Sequence, residues 1–304
     1  MPKIFVIVVS YNGERWIRDC LGSLLESQIP VEVIVIDNNS TDRTVSIVEN
    51  EFPKIDLIKQ GANLGFGRAN NIGIGRALDR HADYLFLLNQ DAYVYPDTIG
   101  KLLSVHQNND DYGIISPLQL NGSGTELDML FKKFLSNSYP PEIAMGIENG
   151  RLEPAGLLPV RFINAASWFI ARSCIDKVGL FDPLFYHYGE DNNYSSRTQY
   201  HGFKVGVTPM AAIRHDKVHD LSKNALLLRQ IHLVPLCILL DLRKNIVTAF
   251  LLVFWKFLGY GWKAMSQRSP QIAMCTLKEL KWMARNFSLV ARSRKTSKIP
   301  YIRN

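Results

Sequence analysis

Four clusters of polar residues in the first 215 positions have the types and spacing to do chemistry. They are Ser10-Tyr11-Asn12, the run Asp37-Asn38-Asn39-Ser40-Thr41-Asp42, Asn89-Gln90-Asp91 and Glu190-Asp191. Carboxylates such as Asp91 are the hard oxygen ligands that divalent cations require, and one carboxylate beside a hydroxyl suffices as a general base. A fifth segment, Gly61-Ala62-Asn63-Leu64-Gly65-Phe66-Gly67-Arg68-Ala69-Asn70-Asn71, pairs two glycines with a following helical pattern. Glycine lets a backbone approach a ligand closely, and a helix N-terminus carries positive potential, so this loop suits a diphosphate. It lacks the G-x-G-x-x-G spacing of dinucleotide-binding folds, as does Tyr11-Asn12-Gly13-Glu14 after the first apolar run, which argues against a nicotinamide dehydrogenase.

These clusters need elements to hold them. Ile4–Val9, Val31–Ile36, Ile55–Ile58 and Tyr84–Leu88 are continuous Val/Ile/Leu-rich runs that predict buried strands. Glu14–Leu25, Thr41–Glu49 and Gly67–Arg80 predict the helices between them. Such alternation implies an α/β fold, a mostly parallel sheet with helices on both faces, whose ligands bind beyond the carboxyl ends of the strands. Each polar cluster of the first half follows one of these strands. Asn192–Tyr200 predicts a further helix, opened by Glu190 and Asp191 where acids suit the helix N-terminus. Asn121–Pro159 is rich in Gly, Pro and Ser without clear periodicity, and is expected to form a mobile flap over the site.

VSYN at the first strand end, VIVIDNNSTD at the second, GANLGFGRANNIG, LFLLNQDAYVYPD, and downstream NAASWFIARSCIDKVGLFDPLFYHYGEDNNYSSR and VTPMAAIRH together resemble glycosyltransferase family 2, and within it the rhamnosyltransferase-like branch. The resemblance covers about residues 3–215. It implies the GT-A fold and an inverting transfer of a sugar, rhamnose from dTDP-rhamnose being favoured, from a nucleotide-diphosphate donor. The acceptor it implies is a hydroxyl of a cell-surface polysaccharide or lipid-linked saccharide. It also implies donor contacts by Ser10, Tyr11, Asn12, Asp37, Asn63, Gly65, Arg68, Asn71 and Gln90, with Tyr11 packing on the base and Asp37 accepting its imide N–H. Asp91 and His215 would hold Mn²⁺ or Mg²⁺, Asp191 would be the base, and Glu190 and Trp168 would meet the acceptor. Two positions depart from the family pattern: Asn89 stands where Asp-x-Asp begins, and Asn193 where Glu-Asp-x-Asp ends. His219 is out of register with the metal-contacting His. Several residues have plainer uses: Asp37 as a helix cap, Asn63 as a turn residue, Arg68 as a solvated helix residue and Trp168 as core.

The 304 residues are 47% hydrophobic and 21% charged, which excludes disordered and collagen-like classes. Cys20, Cys174, Cys237 and Cys275 form no C-x-x-C, so neither a zinc knuckle nor a disulfide framework is indicated and a reducing cytosol is expected. The first apolar run ends at Val9 without a small-residue cleavage site and is expected to be a strand rather than a signal peptide. Charge is uneven. Arg243 to Asn304 holds thirteen Lys/Arg against a single acid, Glu279, a net of +12, leaving −5 for residues 1–242. The chain divides accordingly into a catalytic domain, 1–220, and a basic, apolar helical tail, 221–304. The tail's longest uncharged stretch, Asn245 to Trp255, is shorter than the ~20 residues a bilayer demands. A segment lying on the cytoplasmic face of a membrane fits this pattern, and so does a tail packed on the catalytic domain. No nucleic-acid-binding module accompanies the charge, so nucleic acid is not an expected partner. Two other functions share these features: transfer onto a polyprenyl phosphate, which needs no base, and non-catalytic binding of a membrane or polyanion.

Overall fold

The computed structural model describes residues 1–148, 157–217 and 223–301. Strands β1 (Ile4–Ser10), β2 (Glu32–Asp37), β3 (Asp56–Lys59) and β4 (Tyr84–Asn89) alternate with helices α1 (Ile17–Leu25), α2 (Thr44–Glu51) and α3 (Phe66–Asp79). Next come β5 (Ala92–Val94), α4 (Thr98–Gln107), β6 (Tyr112–Asn121), α5 (Met129–Ser136), α6 (Pro141–Glu148), β7 (Leu158–Pro159), β8 (Ser167–Ala171), α7 (Arg172–Val178), α8 (Glu190–Tyr200) and β9 (Lys204–His215). Four helices close the chain: α9 (Lys223–Leu240), α10 (Ile246–Ser266), α11 (Pro270–Arg285) and α12 (Phe287–Thr296).

One sheet runs in the order β3-β2-β1-β4-β8-β6-β9-β5, with β7 beside β9. The first four strands are parallel, as their alternation with helices predicts. The other half is mixed rather than parallel: β8 runs antiparallel to β4 and β6, and β5 and β7 run antiparallel to β9. Alternate side chains of β1 enter two separate cores, Phe5 and Ile7 on one face, Ile4, Val6 and Val8 on the other, as the two-residue period of a strand requires. The first two helices begin later than their apolar patterns suggest. Asp42 captures the Thr44 N–H at 3.0 Å, so capping residues occupy the segment before α2.

The expected flap between Asn121 and Pro159 contains two helices. Asp128 caps α5 through the N–H groups of Leu130 and Phe131, at 2.9 and 3.0 Å, while Phe131 and Leu135 are fully buried. Their i, i+4 spacing anchors α5 to the core; residues 149–156 lie outside the described part.

The tail docks on the catalytic half. Leu236, Leu239, Leu240, Ala249, Val253, Phe257 and Val290 form one cluster with Phe185, which lies in the loop before α8. Polar ties reinforce it: Ser196 donates to Asp241 at 2.8 Å, His201 Nε2 lies 2.9 Å from the Ser297 carbonyl, and Ser293 bonds Asp182.

Candidate active site

Parallel register sets Ser10 opposite Asp37 and Val9 opposite Asn89, so three polar clusters share one edge of the sheet. Much of their bonding capacity is spent on one another. Gln90 accepts from the Ser10 hydroxyl (2.6 Å) and the Tyr11 N–H (3.0 Å), and its own amide donates to the Tyr11 carbonyl (3.2 Å). Asp37 is buried and receives the Ser40 N–H at 3.1 Å, which closes a turn after β2; it caps no helix, because α2 begins only at Thr44. Asn12, at φ 48°, accepts from the Thr41 N–H at 2.9 Å. Tyr11 is 46% exposed, leaving its ring free to meet a planar base.

The glycine loop performs a different task from the expected one. Asn63 receives the Asn38 amide and the Gly65 N–H, both at 2.9 Å, and is a turn-forming residue. Gly65 has φ +80°, and a Cβ there would collide with the Tyr186 carbonyl; a Cβ on Gly67 would press on Phe181 and Glu190. The glycines therefore admit residues 181–190 against α3. The same holds for two residues expected to reach phosphate. Arg68 donates to the Pro183 carbonyl at 2.8 and 3.2 Å, and Asn71 bonds both backbone groups of Phe181 at 2.8 and 2.9 Å. Their polar groups hold the loop that leads into α8, so neither is aimed at a donor.

Asp91 and His215 converge across the β5–β9 ladder, where Ala92 pairs with His215. Imidazole Nε2 lies 3.3 Å from the Asp91 carboxylate, and the ring is buried with neither nitrogen making a well-formed hydrogen bond. Burial would raise the Asp91 pKa, but His215 and the Lys217 charge outweigh it and the net shift is downward. A buried, orphaned imidazole facing an ionised carboxylate fits a divalent cation completed by other oxygens, and a nitrogen donor suits Mn²⁺ better than Mg²⁺. No cluster of three or more His, Cys, Asp or Glu occurs among the described residues, so protein would supply two ligands. His219 lies outside the described residues.

Glu190 and Asp191 open α8 after Tyr188 and Gly189, both at positive φ (69° and 87°). Asp191 Oδ1 accepts the Asn192 N–H at 2.8 Å, and the Ala165 N–H also faces the carboxylate. The adjacent Ala166 carbonyl receives the Asn89 N–H at 2.9 Å, so residues 165–166 join Asp191 to the strand end that carries Asp91. Burial raises both pKa values, and the Asp191 charge adds to the rise at Glu190, whose Oε2 is buried without a partner. Burial thus holds both carboxyls above their ordinary range, and the two titrate as one coupled pair.

Trp168 does not line this cleft. Its ring is fully buried, stacked on Phe181 at 6.2 Å and tilted against Tyr194 at 6.0 Å. Strand alternation turns it into the core beneath α8, so the NAASW segment reaches Asp191 through backbone instead. Asn193 likewise faces inward, accepting from buried Arg197 at 3.0 Å, while Arg197 also binds the carbonyls of Val178 (2.8 Å) and Leu180. The Asp-to-Asn departure at that position therefore alters a loop brace. Sequence reading missed Asn38, whose amide spans the β2 and β3 loops, and Lys217, whose charge reaches both Asp91 and Asp191. Lys217 sits two residues past His215, a spacing that could have signalled it.

The profile of glycosyl transferase family 2 matches residues 5–163. The N-acetylglucosaminyl-diphospho-decaprenol L-rhamnosyltransferase of Mycobacterium tuberculosis is 26% identical over 239 residues, 72% of this chain and 78% of that protein. A dTDP-rhamnosyl transferase of Shigella flexneri is 31% identical over 116 residues, 38% of each chain. Among solved structures, a mannosyltransferase from Pyrobaculum calidifontis in complex with GDP-Man and Mn²⁺ superposes with a TM-score of 0.59 at 17% identity, covering 98% of this chain and 83% of that one.

Proposed function

The chain belongs to glycosyl transferase family 2 and has the GT-A fold, and from that premise we propose that it is an inverting transferase using dTDP-rhamnose, with a saccharide hydroxyl as acceptor. The observation that carries this reading is the Asp191 carboxylate, held at the rigid start of α8 by the Asn192 N–H and joined through residues 165–166 to the strand end that bears Asp91. The donor preference draws on the rhamnosyl relatives.

In this mechanism Asp191 takes the proton of the acceptor hydroxyl. The acceptor oxygen bonds to the anomeric carbon from the face opposite the diphosphate, and the bond from that carbon to the diphosphate oxygen breaks with its electron pair on oxygen. A single displacement inverts the anomeric centre. Asp91 and His215 would hold a divalent cation, whose chemistry is Lewis-acid neutralisation of the departing diphosphate. Tyr11 packs on the base and Lys217 adds positive potential beside the diphosphate, whereas Glu190, expected to meet the acceptor, is buried and supports the loop that presents Asp191.

The tail supports work at a membrane surface. Helix α10 is, by length and composition, long and apolar enough to cross a membrane, although its uncharged run alone is not. Ala249, Val253, Phe257 and Ala264 are nevertheless buried against neighbouring helices, whereas Val247, Leu251, Trp255, Leu258, Trp262 and Met265 form an exposed stripe at i, i+3/i+4 spacing. Lys256 and Lys263 interrupt the apolar surface of α10, and we read such a basic, apolar helix as lying in the interface. On this reading the protein sits on the cytoplasmic face of the membrane that carries its acceptor.

Replacing Asp191 by Asn tests the assignment. Transfer is expected to fall by roughly 10²–10⁴ while nucleotide-sugar binding, followed by calorimetry, is retained. Unchanged turnover would remove Asp191 as base and favour a phosphate acceptor.

A further inference from the structure

The turn that opens α8 is conformationally strained. Tyr188 and Gly189 both stand at positive φ, 69° and 87°, directly before Glu190 and Asp191. Glycine adopts that region freely, whereas a bulky side chain does so only when its surroundings hold it there. Released, Tyr188 would relax toward negative φ and swing the first turn of α8, and the Asp191 carboxylate with it.

What holds it comes from the tail. The Arg229 guanidinium of α9 lies over the Tyr188 ring, 3.7 Å from its centroid, a cation–π contact. Neither group has a competing partner: among the described residues the guanidinium makes no ion pair or hydrogen bond, and the Tyr188 hydroxyl makes no hydrogen bond. The ring is therefore gripped by its face. Leu233 and Cys237 follow Arg229 at i+4 and i+8, on the same side of α9. Leu233 packs in the cluster that contains Phe185, and the Cys237 thiol lies 3.9 Å from the Gly189 carbonyl. A Cβ on Gly189 would press on both Phe185 and Cys237, so α9 is fitted closely along residues 185–189.

We propose that Arg229 is a positioning residue for transfer: by pinning the Tyr188 ring it keeps the turn in its left-handed form and holds the Asp191 carboxylate toward the acceptor hydroxyl. The inference rests on the transferase reading above, in which Asp191 is the base. Arg229 lies beyond residues 5–163, which the family profile matches, so the alignment of the base is set from outside that segment.

Two measurements on the full chain test it, one of them independent of chemistry. In hydrogen exchange, Arg229→Met, which keeps an apolar stem and removes the cation, should speed exchange of the amides of residues 187–192 by about tenfold, with β1–β4 as in wild type. Turnover is followed as release of dTDP from dTDP-rhamnose with Mn²⁺ and a mixture of cell-envelope glycans as acceptor. There the same variant should lower kcat about ten- to hundredfold, the effect of a misaligned base, with KM for dTDP-rhamnose unchanged. Arg229→Lys should recover most of kcat and Tyr188→Phe should behave as wild type. Tyr188→Leu should lose as much as Arg229→Met, and the double variant no more than either. Weaker dTDP binding in calorimetry at unchanged kcat would put the guanidinium on the donor. A loss of turnover that tracks a fall in melting temperature would make it a general brace, and additive losses would make the two side chains independent. Each of these overturns the proposal, as does faster exchange at full turnover. A wild-type protein inert with dTDP-, UDP- and GDP-sugars, whose turn still loosens in Arg229→Met, would instead remove the transferase reading, and the role in transfer with it, while leaving the clamp in place.

Discussion

At the scale of single residues, the site sets two adjacent carboxyl groups where burial raises both pKa values and couples their titration. Glu190 is buried among Gly67, Phe181 and α8 with an unpartnered oxygen, and its pKa is raised by burial and by the Asp191 charge. The folded protein thus holds a proton that the unfolded chain releases above the ordinary value of 4.5, so its stability falls as pH rises toward the raised pKa. Glu190→Gln should flatten that decline, read as the urea midpoint across mildly acidic to mildly alkaline pH. The same variant reads which carboxyl holds the pair's first proton: an acid limb of kcat/KM left in place is expected and puts it on Glu190, whereas a shifted limb puts it on Asp191. Little of this was legible beforehand. The types at 37, 91, 190, 191 and 215 announce chemistry, whereas Asn63, Arg68 and Asn71 announce donor binding and instead bind loop backbone. A polar side chain in a loop satisfies nearby N–H and C=O groups at almost no entropic cost, and nothing in a motif says which partner wins.

At the scale of elements, the loop before α8 is held from three directions: α3 through Arg68 and Asn71, α8 through Arg197, and the tail through its apolar cluster on Phe185 and Ser293 on Asp182. The parallel half of the sheet was readable because each strand is a continuous apolar run between helical patterns. The mixed half was not, since β8 and β9 pair with strands distant in sequence and direction leaves no local signal. Asp241 is the junction that makes the tail part of the site. Burial alone would raise its pKa, but Arg243, Lys244 and the Ser196 hydroxyl outweigh this and hold the carboxylate well below its usual range. That contribution is present above the ordinary value of 3.8 and is lost as pH falls toward the depressed one. Asp241→Asn should therefore cost roughly 1–3 kcal/mol at neutral pH and blunt the acid sensitivity of unfolding. It should also reduce transfer by loosening α8; full activity with an undocked tail would separate the two. Removing the whole tail would expose Phe185 and disturb the base, so surface substitutions probe the tail better than truncation does.

Across the whole molecule, charge is segregated by partner as well as by sequence. In residues 1–242, which carry a net −5, Arg18, Lys59, Arg76, Lys101, Arg172 and Lys204 each face an acid. In the tail, Arg243 and Lys244 share Asp241, whereas Lys256 and Lys263 on α10 and Lys281 on α11 have no ion pair among the described residues. Water solvates such cations at no cost, but the exposed tryptophans beside them leave apolar area that an anionic, partly apolar phase would cover. Each such cation is worth ~1 kcal/mol at an anionic leaflet, so replacing Lys256, Lys263 and Lys281 with Gln should weaken binding to phosphatidylglycerol vesicles by about 100-fold at low salt. The wild-type difference between anionic and zwitterionic vesicles should shrink as salt rises, because screening acts within a Debye length. Trp255 and Trp262, 67% and 70% exposed, report the apolar half of the contact: their emission should shift to the blue on vesicles and be quenched by brominated acyl chains. A triple variant that binds as tightly as wild type, or tryptophans that stay in water on the vesicle, would mean that the +12 of the tail serves some partner other than a membrane.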